Sequence, residues 1–263
     1  MSRCVILAAL AIAVPIGVEC QDNLQDVAKA SQNPISSMIS LPLQNNFNYG
    51  TGIPERLQYV LNVQPVVPVK ITSDLNLIVR TIAPIVNQPI GRDHTETGMG
   101  DLTVETFFAP ARPGDNGFML GAGPAFTVPT ATSSALGSER WLAGISAVVV
   151  VAPDPWVLGV LVVQQWSYAG DDARAVTNPF VLQPIINYNL PRGWAITSSP
   201  IMTADWAQFD DALFVPIGGG PSKAFTVGTQ FMSAGVQGYV NAVRRHGMSD
   251  WTLRVTYSLL FPL

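Results

Sequence analysis

Asp250–Leu263 reads DWTLRVTYSLLFPL, and its alternation decides the architecture. Trp251, Leu253, Val255, Tyr257, Leu259 and Phe261 take every second position, with Thr252, Arg254, Thr256 and Ser258 between them. A two-residue period belongs to a strand whose faces meet different surroundings. The apolar face carries aromatics near both ends and aliphatics in the middle, as a lipid-facing strand does. A strand of a soluble sandwich alternates too, so the rest of the chain has to choose.

Composition favours the membrane. The 263 residues are 48% hydrophobic and 12% charged, with a mean hydropathy of +0.29. Ordinary globular domains are about 25% charged. No internal apolar run reaches the roughly 18 residues a membrane helix needs. A hydrophobic, charge-poor chain without a spanning helix has the profile of a transmembrane barrel. The 14 basic and 18 acidic residues leave a net charge of −4, which argues against nucleic acid and against a polybasic tether.

At the N-terminus, Arg3 precedes an apolar run from Val5 to Val14. Residues 1–20 therefore read as a secretory signal peptide cleaved near Cys20–Gln21. Cys4 and Cys20 would leave with it, so no disulfide is expected. Residues 21–34 carry a short helical pattern with Leu24, Val27 and Ala28 on one side, a periplasmic segment or partial plug. Residues 35–263 form the expected barrel domain.

Alternation recurs along that domain. Leu57, Tyr59, Leu61 and Val63 alternate with Gln58, Asn62 and Gln64, and Leu75, Leu77 and Val79 with Asn76 and Arg80. Leu102, Val104 and Phe108 alternate with Thr103 and Glu105. Phe118, Leu120, Phe126 and Val128 face away from Gly121 and Gly123. Two very apolar strands, Trp141–Val151 and Trp156–Tyr168, flank the turn 152–155. Phe180, Leu182, Ile186 and Tyr188 alternate with Gln183, Asn187 and Asn189. Further strands are expected near Ile39–Leu43, Trp194–Thr203, Leu213–Ile217 and Phe225–Met232, which makes about twelve in all, an even number as bacterial barrels have.

The connections alternate in length. Short ones are expected at 72–74, 110–117, 152–155, 191–193 and 218–222, longer ones at 86–100, 130–140, 169–178 and 241–250. Short periplasmic turns and longer extracellular loops are the barrel asymmetry. All six tryptophans (141, 156, 166, 194, 206 and 251) fall at expected strand ends, where an interfacial girdle belongs. Lys70, Arg80, Glu105, Asp205 and Arg254 lie on the polar parity of their strands. A charge on the lipid face at mid-bilayer would cost about 2–4 kcal/mol, which explains the segregation. Pro65, Pro68, Pro84, Pro124, Pro184, Pro200 and Pro216 fall within expected strands and each removes a ladder donor, so they should mark bulges or breaks.

Several phrases carry a family likeness: Asn33-Pro34-Ile35-Ser36, Gln64-Pro65-Val66-Val67-Pro68, Gly98-Met99-Gly100-Asp101, Phe107-Phe108-Ala109-Pro110, Val128-Pro129-Thr130-Ala131-Thr132, Trp166-Ser167-Tyr168-Ala169-Gly170 and Leu259-Leu260-Phe261-Pro262. Together they resemble the outer-membrane proteins grouped under the meta-pathway of phenol degradation, some of which carry the bacterial label neuromedin U. The closing strand is also similar to the terminal recognition strand of outer-membrane barrels. The resemblance implies a barrel transporter and supplies no catalytic residue. Its link to aromatic catabolism is an association.

Chemistry is sparse. His94 and His246 fall in expected outer loops, with Asp93 and Glu96 near the first and Asp250 near the second. A barrel hydrolase built on them is the enzymatic alternative, but the spacing matches no nucleophile or metal motif, and solvated loops explain it. No serine sits in a Gly-x-Ser-x-Gly elbow. Gly218-Gly219-Gly220-Pro221-Ser222-Lys223 lacks phosphate-loop spacing and reads as a tight turn. The polar parity gives the lumen candidates: Gln58, Asn62, Gln64, Asn76, Arg80, Glu105, Gln183, Asn187 and Arg254. They could fill a narrow barrel with hydrogen bonds, select solutes, or both. Folding about the middle of the 86–100 connection brings Arg80 opposite the neighbourhood of Glu105–Phe107, so Arg80 and Glu105 are expected to face one another.

The sequence thus points to an all-β, transmembrane, antiparallel up-and-down barrel in the outer membrane of a Gram-negative cell. Its expected work is passage of small solutes, aromatic or hydrophobic ones among them, and it is not expected to be an enzyme. A structural or adhesive barrel is the third class. No cofactor or metal is implied. The expected partners are outer-membrane lipid and lipopolysaccharide, the barrel-assembly machinery and a small-molecule solute.

Overall fold

The computed structural model describes residues 19–51, 56–207, 212–244 and 247–263, with side chains from Leu24 onward. The expected signal segment therefore lies almost wholly outside the described residues. A helix, α1 (Glu19–Gln32), precedes strands β1 (Met38–Tyr49), β2 (Leu57–Val63), β3 (Val66–Lys70), β4 (Leu75–Ile90) and β5 (His94–Met99). Then come β6 (Leu102–Pro110), β7 (Met119–Val128), β8 (Arg140–Val151), β9 (Trp156–Gly170) and β10 (Pro179–Asn189). The chain ends with β11 (Trp194–Ser198), β12 (Met202–Asp205), β13 (Leu213–Val227), β14 (Gln230–Val243) and β15 (Trp251–Pro262).

All fifteen segments belong to one antiparallel sheet. Six of them join end to end as three pairs. β2 and β3 both lie between β1 and β4, β5 and β6 both lie on β4, and β11 and β12 both lie between β10 and β13. The result is a closed barrel of twelve staves. β15 pairs with β1 from Trp251↔Tyr49 to Pro262↔Met38, so no edge is left open along that seam.

The breaks have local causes. Pro65 separates β2 from β3, and Pro200 lies in the gap between β11 and β12, where a missing N–H ends a ladder. Pro216 sits at the one register shift of the β13–β14 pair. Pro84 stands beside the Gly100–Asp101 gap between β5 and β6, and its carbonyl accepts from the Gly100 amide. Pro68, Pro124 and Pro184 stay inside paired strands.

Two expected connections are corrected. Residues 86–100 are not a long loop: β4 runs to Ile90, turns at 91–93, and β5 returns from His94. Alternating Ile85, Asn87 and Thr97 with Val86 and Gly98 keeps two faces going well past the expected stop. Residues 218–222 are not a turn but the middle of β13. A Cβ on Gly218 would collide with the Gly238 carbonyl, and one on Gly220 with the Val236 carbonyl, so these glycines allow close approach of β14. The turn itself comes at Gly228, whose φ is +61°.

The outward parity is apolar. Leu120, Phe126, Ile145, Ile196, Ile217, Val240 and Tyr257 are all exposed there, as are all six tryptophans. At the end bearing the 129–139 and 171–178 loops, Trp251 stacks on Tyr49 at 3.9 Å and Trp206 donates to Gln164 Oε1. At the short-turn end, Trp156 meets Tyr188 edge-on and Lys223 lies 4.9 Å over Trp194. Apolar bodies with polar tips at both ends are what a bilayer boundary selects.

Candidate functional site in the barrel interior

Strand parity builds the interior. On β1 the inward positions include Gln44, Asn46 and Asn48, and their direct partners on β15 are Thr256, Arg254 and Thr252. Across β1 to the other side, Gln44 faces Asn62 and Asn48 faces Gln58. β14 adds Gln237 opposite Arg254 and Tyr239 opposite Thr252. These strands form a polar wall. The facing wall is apolar: Ile78, Phe107, Met119, Val148, Val150, Val157, Leu161 and Val163 make one buried cluster capped by Ile35 from the α1–β1 connection.

Arg80 and Glu105 are register partners on β4 and β6, with Nη1 3.1 Å from Oε2, and both side chains are about nine-tenths buried or more. The pairing across consecutive strands expected from parity is met, although a hairpin rather than a loop joins those strands. A buried carboxylate held by a guanidinium avoids an uncompensated charge. Arg80 Nη2 also donates to Gln64 Oε1 at 3.0 Å, and Gln64 lies 2.7 Å from the amide of Gln44.

Arg254 continues this row and is buried to 7% exposure. Nε donates to Asn46 Oδ1 at 3.0 Å and Nη1 to the Ser199 carbonyl at 2.9 Å. The guanidinium lies 4.9 Å over the Tyr239 ring. Among the described residues no carboxylate lies within ion-pair distance of it. One amide end of Gln44 stands 2.7 Å from Nε and 3.2 Å from Nη1.

The other sequence-singled residues are spread along the staves. Gln58 accepts from Asn48 Nδ2 at 2.8 Å and donates to Gln88 Oε1. Asn62 is half-buried beside Gln44. Asn76 donates to Ser37 Oγ at 3.0 Å near the short-turn end. Asn187 reaches the Val157 carbonyl at 3.5 Å, and Gln183 faces inward at mid-strand on β10. His94 is not in a long loop but opens β5, exposed, beside the 91–93 turn. His246 lies outside the described residues.

Two cavities occupy the interior. One, of about 230 Å³, lies on the short-turn side and touches α1, Gln44, Arg80, Gln183 and Arg254. The other, of about 360 Å³, reaches toward Asp101, Ser138 and Thr177 at the opposite end and touches Glu105 and Gln165. Arg80, Leu161 and Gln183 border both, so these three side chains stand at the waist between them.

At the short-turn mouth α1 packs inside. Leu24 and Ala28 meet Ala224 and Phe231, while Val27 meets Met38 and Leu260. Gln25 bridges the Leu190 carbonyl and the Gly193 amide, and Lys29 pairs with Asp154 at 2.8 Å. At the other end the 129–139 loop is tied down. Asp101 accepts from the Ser138 and Ala131 amides, and Arg174 donates to the Ser134 and Gly137 carbonyls.

Parity reasoning missed two parts of this interior. Gln44, Asn46 and Asn48 carry their own signal, a polar alternation with Leu43, Asn45 and Phe47 that Asn45 blurs. Asn45 faces outward, with its amide spent on the Val255 carbonyl and its oxygen on Tyr59. The apolar wall was hidden because β8 and β9 are apolar on both faces, leaving no parity to read. Such continuous runs signal burial on both sides.

No family model matches the chain, and no curated protein matches it in sequence. Among solved structures it is similar to an outer membrane channel from Pseudomonas putida F1. That match has a TM-score of 0.66 and 16% identity, over 86% of this chain and 96% of that one. At this identity the likeness is one of fold: a closed, twelve-stranded antiparallel barrel.

Proposed function

We propose that the chain is a Gram-negative outer-membrane barrel that passes small solutes. The observation that carries this reading is the pair of interior cavities meeting at Arg80, Leu161 and Gln183 inside a wall whose outer surface is apolar. The fold shared with a solved outer membrane channel supports it. A polar wall facing an apolar one suits small molecules with both kinds of surface, aromatic ones included. The resemblance of the sequence phrases to the phenol meta-pathway group agrees with that solute class. In this reading residues 1–20 direct secretion, the barrel-assembly machinery inserts the chain, and lipopolysaccharide surrounds the end bearing the long loops. Helix α1 acts as a partial plug at the periplasmic mouth. No catalytic residue and no cofactor is assigned.

Conductance of the refolded protein in planar bilayers tests the reading. The expected result is discrete current steps that grow when α1 is deleted. A folded protein that never conducts, with or without α1, would refute the channel.

A further inference from the structure

The row Arg80–Gln64–Gln44–Arg254 has too few acceptors. Its three junctions measure 3.0, 2.7 and 2.7 Å. A guanidinium only donates, and each amide has one accepting end and one donating end. If Gln64 turns its oxygen to Arg80 and Gln44 turns its oxygen to Arg254, their two NH2 groups oppose each other. Any other orientation moves the conflict to an arginine. The row therefore always sets donor against donor at one place, and all four side chains are at least nine-tenths buried.

Charge points the same way. At this level Arg80 and Arg254 contribute two positive charges against the single negative charge of Glu105, which Arg80 already holds. Arg254 borders the 230 Å³ cavity, as do Gln44 and Gln64. Across the barrel the same cavity is walled by Leu161 and Ile185. We propose that this cavity binds a small monocarboxylate with an apolar body, its head group on the cavity side of the row, against Arg254 and the Gln44 and Gln64 amides that line it. A carboxylate brings two oxygens in the plane a guanidinium prefers and supplies the missing acceptor. A single negative charge balances the row. The apolar body rests on Leu161 and Ile185. This deepens the channel reading by naming the class of solute the path recognises.

Binding is measured on the full folded protein in detergent by titration calorimetry, with butyrate and 1-butanol as probes. Wild type should bind butyrate saturably and 1-butanol at least tenfold more weakly. Arg254→Gln should weaken butyrate at least tenfold. Gln44→Glu, which builds the missing carboxylate into the wall, should abolish butyrate binding while the protein keeps its heat-dependent gel shift. Equal binding of the two probes, unchanged binding in Arg254→Gln, or undiminished binding in Gln44→Glu would each overturn the site. Conductance of the same preparation separates the two readings. Binding without current preserves the site and sinks the channel, whereas current without binding does the reverse.

Discussion

The two walls of the barrel interior are built by different rules. From β13 round to β2 the mid-strand inward residues are mostly polar, among them Gln44, Asn46, Asn48, Gln237, Arg254 and Thr256, with Met38, Ala224, Phe231 and Leu260 gathered at the mouth against α1. From β4 to β9 the inward residues nearer the short turns are Ile78, Phe107, Val148, Val150, Leu161 and Val163, packed to near-zero exposure, while Arg80 and Glu105 sit on β4 and β6 beside the waist. The first wall is held by directional bonds, such as Arg254 to Asn46 and Ser199. The second is held chiefly by packing, as the core of a soluble protein is. On the proposed reading the apolar outer surface stays in lipid and gains nothing on folding, so stability should concentrate in the packed wall and solute chemistry in the bonded one.

Truncating the packed wall should have the largest effect. Phe107 is fully buried, and Phe107→Ala should cost about 3–5 kcal/mol of folded stability. Urea unfolding in detergent, followed by tryptophan emission, measures it; a loss well under 1 kcal/mol would mean that the apolar wall is not the core. Next in size is the lipid face. Val255 points outward and Thr256 inward on β15. Val255→Arg should cost about 2–4 kcal/mol and impair insertion, while Thr256→Arg should assemble nearly normally. Gel mobility before and after boiling scores both, and equal assembly would erase the distinction between faces.

The charged pair at the waist, set between the two walls, should respond in selectivity rather than assembly. Glu105→Ala leaves Arg80 unbalanced at the waist and should move the reversal potential across a salt gradient toward anions. Arg80→Ala should move it toward cations, with the double variant between them. Unchanged selectivity in all three would relegate the pair to packing. The smallest effect is expected at the mouth. Lys29 pairs with Asp154, whose side chain is largely exposed, so Lys29→Ala should change stability by less than about 1 kcal/mol. A larger loss in urea unfolding would show α1 to be integral to the wall.

How legible each wall was in the sequence follows from the same contrast. Where one face is lipid and the other polar, parity is written in residue type. Arg80, Glu105, Gln183, Asn187 and Arg254 could thus be set inward, and Arg80 set opposite Glu105, without coordinates. Where both faces are apolar, as in residues 147–151, residue type no longer distinguishes lipid from core, and the packed wall stayed invisible. Turn chemistry misled twice for physical reasons. Glycines at 218–220 serve close strand approach instead of a reversal, and the polar 94–99 stretch, with Thr95, Thr97 and Gly98, is not a loop but strand β5 paired with β4. The acceptor shortage along Arg80–Gln64–Gln44–Arg254 could not be read from sequence, since it arises only when four side chains from separate stretches of the chain meet.

The position of α1 bears on the order of assembly. The helix is the first part of the described chain to be synthesised, yet it packs on β13, β14 and β15, the last three strands made, as well as on β1. Its docking must wait until nearly the whole chain exists, because contacts between such distant residues form late. The seam between β1 and β15 closes over the same ground. Sealing the cylinder and seating its helix are therefore one terminal event. A chain cut short before Trp251 should leave both undone, with α1 open to protease at its Lys29 bond while the preceding hairpins resist.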